Sequence, residues 1–211
     1  MSKQEFIQYL ELLKFSGLDN IFIENIKKER HSIKELKKKY QLCHKCDLSE
    51  GRNKFVYGNG TQNARLVLIG EAPGANEDRT GKVFVGKAGK LLTKMLKAIH
   101  IDREDVYITN IVKCRPPGNR NPKQEEIKAC LPYLIEQLDI IDPDFILLLG
   151  KVSATTLLKK NYTLRKFREK DFFINGKRVF ITYHPSALLR NPRWKKYAWE
   201  DLKKLRDVYF A

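Results

Sequence analysis

Five consecutive apolar residues, Phe145-Ile-Leu-Leu-Leu149, leave no polar face for water. A run of this length, bounded by Asp144 and Gly150, suits a strand covered on both sides. Such strands belong inside parallel sheets with helices above and below. The segments around it fit that demand. Arg65–Ile69 and Val106–Thr109 read as further strands, with helical spacing over Lys87–His100, Lys123–Ile140, Lys151–Lys159 and Trp194–Tyr209. Phe172–Ile174 and Arg178–Thr182 flank Asn175-Gly176, a strong hairpin signal. The alternation predicts an α/β fold: a three-layer αβα sandwich around a central, mainly parallel four-stranded sheet, with right-handed crossovers.

Residues 1–40 read as an appended helical extension, with apolar residues at helical spacing (Phe6, Tyr9, Leu10, Leu13, then Ile33, Leu36, Tyr40). Its charge runs, Lys27-Lys-Glu-Arg30 and Lys37–Lys39, suit a solvated helix face. Residues 41–211 form one domain, of which Cys43 to Asn63 is loop-like. The chain carries 41 Lys and Arg against 25 Asp and Glu, a formal charge of +16. Residues 151–211 hold 16 basic and 5 acidic side chains, so the excess is concentrated there. A charge balance of that kind draws a polyanion and releases its counterions, without telling DNA from RNA. Lys3, Glu5 and Glu11 interrupt any apolar leader, and no apolar run is long enough to span a bilayer. The expectation is a monomeric cytoplasmic protein without a membrane partner.

Four cysteines complete the pattern: Cys43-x2-Cys46, 67 residues, then Cys114-x15-Cys130. In a reducing compartment these are thiols or metal ligands rather than disulfides. Four unrelated buried thiols, a structural zinc site and an iron–sulfur cluster all fit, and spacing does not separate zinc from iron.

Three loops fall at the carboxyl ends of the expected strands, where ligands of open α/β sheets bind: Gly70–Gly89, Asn110–Pro122 and His184–Pro192. The first is rich in glycine, with one aromatic residue, Phe84, and three carboxylates, Glu71, Glu77 and Asp78. That composition suits a slot for a planar group, though Phe84 alone could be a core residue. Asn110 offers an amide donor and acceptor to a pyrimidine edge or to its own turn. His184 could be a satisfied loop histidine. Leu188 and Leu189, read as exposed and followed by Arg190, could be a satellite of the core or a wedge that enters a base stack.

Taken together, these segments resemble the family 4 uracil-DNA glycosylases, the iron–sulfur branch of that superfamily. The resemblance runs from about Cys43 to Leu205. It rests on Gly70-Glu-Ala-Pro-Gly74 with Glu77-Asp78, on Gly81-Lys-Val-Phe-Val-Gly-Lys-Ala-Gly-Lys-Leu-Leu92, on Tyr107-Ile-Thr-Asn-Ile-Val-Lys-Cys-Arg-Pro-Pro117 and on His184-Pro-Ser-Ala-Leu-Leu-Arg-Asn-Pro192. Residues 1–40 lie outside it. It implies a uracil-DNA glycosylase-like fold, a [4Fe–4S] cluster on Cys43, Cys46, Cys114 and Cys130, and hydrolysis of the N-glycosidic bond of uracil flipped out of DNA. The products would be free uracil and an abasic site for base excision repair, and DNA would tie the protein to the nucleoid.

By the same resemblance, Phe84 stacks on uracil and Asn110 pairs with its O4 and N3 edge. Glu77 crowds out a C5 methyl, the backbone of Glu71, Ala72, Pro73 and Gly74 donates to the base, and His184 stands by O2. Ser186, Leu188, Leu189 and Arg190 meet the DNA. One departure bears on mechanism. Other branches place Asp or Asn where Ala72 stands, to hold the attacking water; Glu71 takes that role here, and Asn119 supplies a supporting polar contact. No added histidine is present to trap the sugar and no lysine of the motifs is placed for a Schiff base, so a monofunctional enzyme with turnover is expected. Two rivals remain: a non-catalytic iron–sulfur nucleic-acid-binding protein of this fold, and a glycosylase that accepts a wider set of deaminated bases.

Overall fold

The computed structural model describes residues 32–211. The expectations for Phe6, Tyr9, Leu10, Leu13 and the Lys27–Arg30 run lie outside the described residues. The first element, α1 (Ile33–Tyr40), opens with a capping box in which Ser32 and Glu35 satisfy each other's backbone N–H groups. Although the sequence assigned it to the extension, α1 packs on the main domain. Leu36 is buried in the core, and the Tyr40 hydroxyl donates to Glu136 at 2.7 Å.

Next come β1 (Asn59–Gly60), β2 (Leu66–Gly70), α2 (Ala75–Thr80), α3 (Lys87–Lys97), β3 (Tyr107–Asn110) and α4 (Gln124–Ile141). The chain continues through β4 (Phe145–Leu149), α5 (Lys151–Leu158), α6 (Leu164–Arg168), β5 (Phe172–Ile174), β6 (Lys177–Thr182), α7 (Pro185–Arg190) and α8 (Lys195–Tyr209). The sheet runs β1-β3-β2-β4-β6-β5. Its four inner strands are parallel, as expected, and the edges are antiparallel. The sheet therefore has six strands rather than four. Strand β1 is two residues long and carries no apolar pattern to read, and β5 is the outer arm of the expected hairpin, closed at Ile174↔Lys177.

Both faces of the inner strands are buried, and side-chain alternation sorts them into two cores. Val67, Ile69, Ile146, Leu148, Val179 and Ile181 join one core with residues of α1 and α4. Leu66, Leu68, Leu147, Leu149 and Phe180 join the other with Leu92 and Leu96 of α3 and Leu202 and Leu205 of α8. Each fully buried leucine contributes about 1.5–3 kcal/mol. This double burial is why β4 has no polar side. No described helix is long and apolar enough to cross a membrane.

Strand register sets up the site. Gly70 at the end of β2 lies beside Asn110 at the end of β3, and Leu149 lies beside Thr182 two residues before His184. The three loops therefore all leave the carboxyl ends of parallel inner strands, β2, β3 and β6.

Candidate active site

Gly70 is the floor of the pocket. A Cβ there would collide with Asn110 Oδ1 and with the tip of the Phe84 ring, so glycine is what lets these two groups meet above the strand ends. Asn110 is 1% exposed, and its Oδ1 has no hydrogen-bond partner among the described residues. Leaving an acceptor buried and unpaired costs about 1–3 kcal/mol. The oxygen calls for an N–H donor lying against the Phe84 ring.

Phe84 is buried and holds a left-handed backbone, φ 50°, which strains a bulky side chain. Three contacts keep it there. Arg103 Nη2 donates to the carbonyls of Val83 (2.9 Å) and Phe84 (3.2 Å). Glu77 Oε1 accepts from the backbone N–H groups of Val85 and Gly86, both at 2.8 Å. At Gly89, any Cβ would occupy the space of the Phe84 carbonyl. The ring is thus clamped from behind, with its centroid 5.6 Å from that of His184.

His184 caps α7. Its Nδ1 accepts from the Ser186 N–H at 3.2 Å, so the Ser186 hydroxyl, 2.8 Å away, also donates to it. The proton of the neutral ring therefore sits on Nε2. Burial, reinforced by Arg190, lowers its pKa to about 4, which keeps the imidazole neutral at pH 7. Glu71 is half-buried; burial raises its pKa and the nearby Arg190 opposes the rise. The Glu71 carbonyl accepts from Val112 N–H at 3.1 Å, tying the first loop to the segment after Asn110.

Phe84 and Asn110 thus meet above Gly70 and Phe84 faces His184, while Glu71 shares Arg190 with His184. Ala72 and Pro73 are set into the loop, and Gly74 lies so close to Glu77 Oε2 that a Cβ would press on it. Others of the expected site residues sit differently. Ser186 acts on His184 itself. Leu188 is 1% exposed and belongs to the α3–α8 core, which corrects its reading as an exposed leucine; α7 turns about 100° per residue, so Leu189 faces out where Leu188 faces in. Leu189 and Arg190 are exposed. Asn119 is also exposed, in a 3₁₀ turn where its Oδ1 accepts from Arg115 Nε at 2.8 Å rather than from a pocket group.

The four cysteines are free thiols on the α1–α4 side of the sheet, with Cys46 close enough to Cys43, Cys114 and Cys130 for their charges to interact. Burial raises Cys114, opposed by the Arg52 guanidinium that donates to its sulfur, with Cys46 and Cys43 adding smaller upward pushes. Cys130 is pushed up to about 12 by burial, opposed by Lys113 and raised further by Cys114 and Cys46. Three sulfurs accept hydrogen bonds: Cys43 from Tyr133 (3.0 Å), Cys114 from Arg52 (3.2 Å) and Cys130 from Lys113 N–H (3.2 Å). Among the described residues, no three His, Cys, Asp or Glu side chains stand at the spacing of a single bound ion.

Sequence reading missed the supports: Arg103 behind Phe84, Arg52 and Tyr133 on the sulfurs, and Lys113. The Lys113 side chain is fully buried, and its Nζ donates at 2.7 Å to Thr109 Oγ1, Gln137 Oε1 and the Asn110 carbonyl. Its position three residues after Asn110 was the only signal.

A family model described as the uracil DNA glycosylase superfamily matches residues 57–203. A type-4 uracil-DNA glycosylase of Sulfurisphaera tokodaii is 45% identical over 186 residues, 84% of this chain and 84% of its own length. The type-4 uracil-DNA glycosylase of Saccharolobus solfataricus is 47% identical over 175 residues, covering 79% of this chain and 81% of the relative. That of Archaeoglobus fulgidus is 40% identical over 185 residues, covering 84% and 93%. With a family model that spans the three pocket loops and relatives 40–47% identical over most of both chains, the chain belongs to the type-4 branch of the uracil DNA glycosylase superfamily.

Proposed function

We propose that this protein removes uracil from DNA by hydrolysing its N-glycosidic bond. The observation that carries the reading is the buried, unpartnered Asn110 Oδ1 beside the Phe84 ring. Uracil N3–H is the donor that oxygen lacks, and the Asn110 amide N–H can donate to uracil O4. Cytosine carries an acceptor at N3 and a donor at C4, so it would leave both pairs mismatched and buried. Phe84 stacks on the everted base, and the wall that Glu77 braces is the one a C5 methyl would meet.

Water attacks C1′ as the C1′–N1 bond breaks, and the bonding pair leaves with uracil. Glu71 orients that water and takes its proton. The neutral His184 donates from Nε2 to O2, where negative charge gathers, a stabilisation worth about 10²–10³ in rate for a single donor. The exposed Leu189 and Arg190 meet the DNA beside the pocket, Leu189 filling the stack and Arg190 meeting phosphate. Ser186 supports this only through His184.

For the cysteines we propose a [4Fe–4S] cluster held by Cys43, Cys46, Cys114 and Cys130. Four free thiolate-capable residues in one neighbourhood, three of them accepting hydrogen bonds, suit such a cluster. When bound it would supply a structural tie between the segment after α1, the loop after β3 and α4. A brown preparation that loses colour in Cys43→Ser or Cys114→Ser is expected, and a colourless zinc protein would overturn the assignment.

The activity is tested on oligonucleotides bearing U, T, C or hypoxanthine, cut with alkali after incubation. Cleavage at U alone is expected. Cleavage at hypoxanthine as well would favour a wider choice of base, and an intact U strand with a loaded metal centre would refute the reading.

A further inference from the structure

Next to the pocket stands an aromatic group that the chemistry above does not use. Tyr183 directly precedes His184, and the 3₁₀ turn Pro192–Trp194 folds Trp194 back onto it, with ring centroids 5.2 Å apart and planes 32° apart. Tyr197, in the first turn of α8, lies 6.5 Å from Tyr183 at 29°. The Arg168 guanidinium sits 5.0 Å from the Tyr183 centroid and 5.6 Å from that of Tyr197. Arg168 is itself fixed by Asp201 at 2.6 Å and by the Tyr197 carbonyl at 2.8 Å. Rings inclined by 29–32° and pinned by a largely buried ion pair form a platform ordered before any ligand arrives.

Packing explains only its root. Tyr183 rests against the α3–α8 core, whereas Trp194 is 38% exposed and Tyr197 41% exposed. Three exposed cations, Arg193, Lys195 and Lys196, border these rings within four residues, and the Lys196 ammonium lies 4.8 Å from the Tyr197 centroid. An apolar protein partner would gain from the rings but not from desolvating three cations. Flat rings edged with cations suit unpaired bases and the phosphates between them, because every base offers a π face and every linkage a charge. The platform is also continuous with the proposed DNA face, since it begins one residue before His184 and α7, with Leu189 and Arg190, joins its two halves.

We propose that Tyr183, Trp194 and Tyr197 form a stacking site for unpaired bases of the strand that carries the uracil, so that the enzyme prefers DNA that is single-stranded or frayed beside the lesion. This rests on the glycosylase reading for the identity of the strand, and its test is independent of catalysis. The dissociation constants of a uracil-free oligothymidylate and of a blunt uracil-free duplex are measured by fluorescence anisotropy for the wild type, Trp194→Ala, the Trp194→Ala/Tyr197→Ala double variant and Trp194→Phe. Loss of stacking in the double variant should raise the single-strand constant, relative to the duplex constant, by about ten- to a hundredfold. Trp194→Phe, which keeps a flat ring, should stay within about threefold of the wild type. The slope of binding against salt should not change, because the cations remain.

An unchanged ratio in the double variant overturns the proposal, as does an equal loss on both DNAs, which would mean general damage to the surface. If Trp194→Ala melts early, the Trp194→Phe and Tyr197→Ala single variants carry the test: wild-type binding in the first with loss in the second supports stacking, and the reverse removes it. Wild-type uracil release is assayed separately. Its absence with the single-strand preference intact would discard the glycosylase reading and leave the platform standing.

Discussion

Two buried polar groups on one short segment meet opposite fates. Asn110 and Lys113 stand three residues apart and are both closed to water. The Lys113 ammonium has three acceptors at 2.7 Å, one of them the carbonyl of Asn110 itself. The Asn110 side-chain oxygen has none among the described residues. The satisfied group in the loop after β3 holds the fold, whereas the unsatisfied one at the end of β3 waits for a ligand. The protein thus spends stability at the pocket floor and recovers it one turn away, as expected of sites organised before binding.

Replacing the asparagine should separate the two most sharply. Asn110→Ala removes an acceptor that costs free energy in the unliganded protein, so stability should hold or rise by about 1 kcal/mol. Uracil release should nevertheless fall by about 10²–10³. Thermal melts and single-turnover assays on one preparation test both halves, and a variant that melts well below the wild type would show that the oxygen does have a partner. Asn110→Asp carries the same logic to specificity. A protonated carboxyl can present a donor to cytosine N3, so relative activity on cytosine should rise as the pH falls; an unchanged preference counts against base reading by this residue.

The reciprocal change is Lys113→Met. It takes the ammonium from the buried Asn110 carbonyl, leaves Gln137 Oε1 with the Thr109 hydroxyl as donor, and should cost roughly 2–4 kcal/mol. For a chain of this size that lowers the melting temperature by about 5–15 °C. The preference for uracil over thymine, which the pocket side of the sheet sets, should survive below the melt. A variant that kept its stability and lost its selectivity would merge the two regions into one.

What the sequence revealed follows the same division. The four inner strands were legible because burial on both faces writes itself as uninterrupted apolar runs, as in Phe145–Leu149. The pocket was legible because glycines, a lone aromatic and a strand-end asparagine stand in order along three motifs. The supports were not. Lys113 and Arg103 are ordinary charged residues in one dimension, and only the fold shows that one is buried and the other grips the Phe84 loop. Leu188 was read with Leu189 as a pair because six helical residues are too few to show which face turns inward. Nothing in the order of residues tells that the Ser186 hydroxyl, expected at the DNA, lies on Nδ1 of His184. Asn119 offered the right chemistry on a turn that points it at Arg115.

The smallest expected effect concerns His184, the half-buried imidazole beside Phe84. Burial holds His184 at about 4 against its ordinary 6.5, so the unfolded chain takes up its proton first on acidification. The stability this group contributes is complete above pH 6.5, drains away as the pH falls toward 4, and is gone below that. At about 1.36 kcal/mol per unit the loss is at most roughly 3 kcal/mol. Other groups titrate in the same range, so the informative quantity is the difference between the wild type and His184→Gln. Glutamine can still accept from Ser186 and carries no proton to gain. Between pH 7 and 4.5 the wild-type melting temperature should fall more steeply than that of the variant. Parallel curves would mean that the imidazole is as wet as a surface histidine, and the neutral Nε2–H donor at the pocket would lose its physical basis.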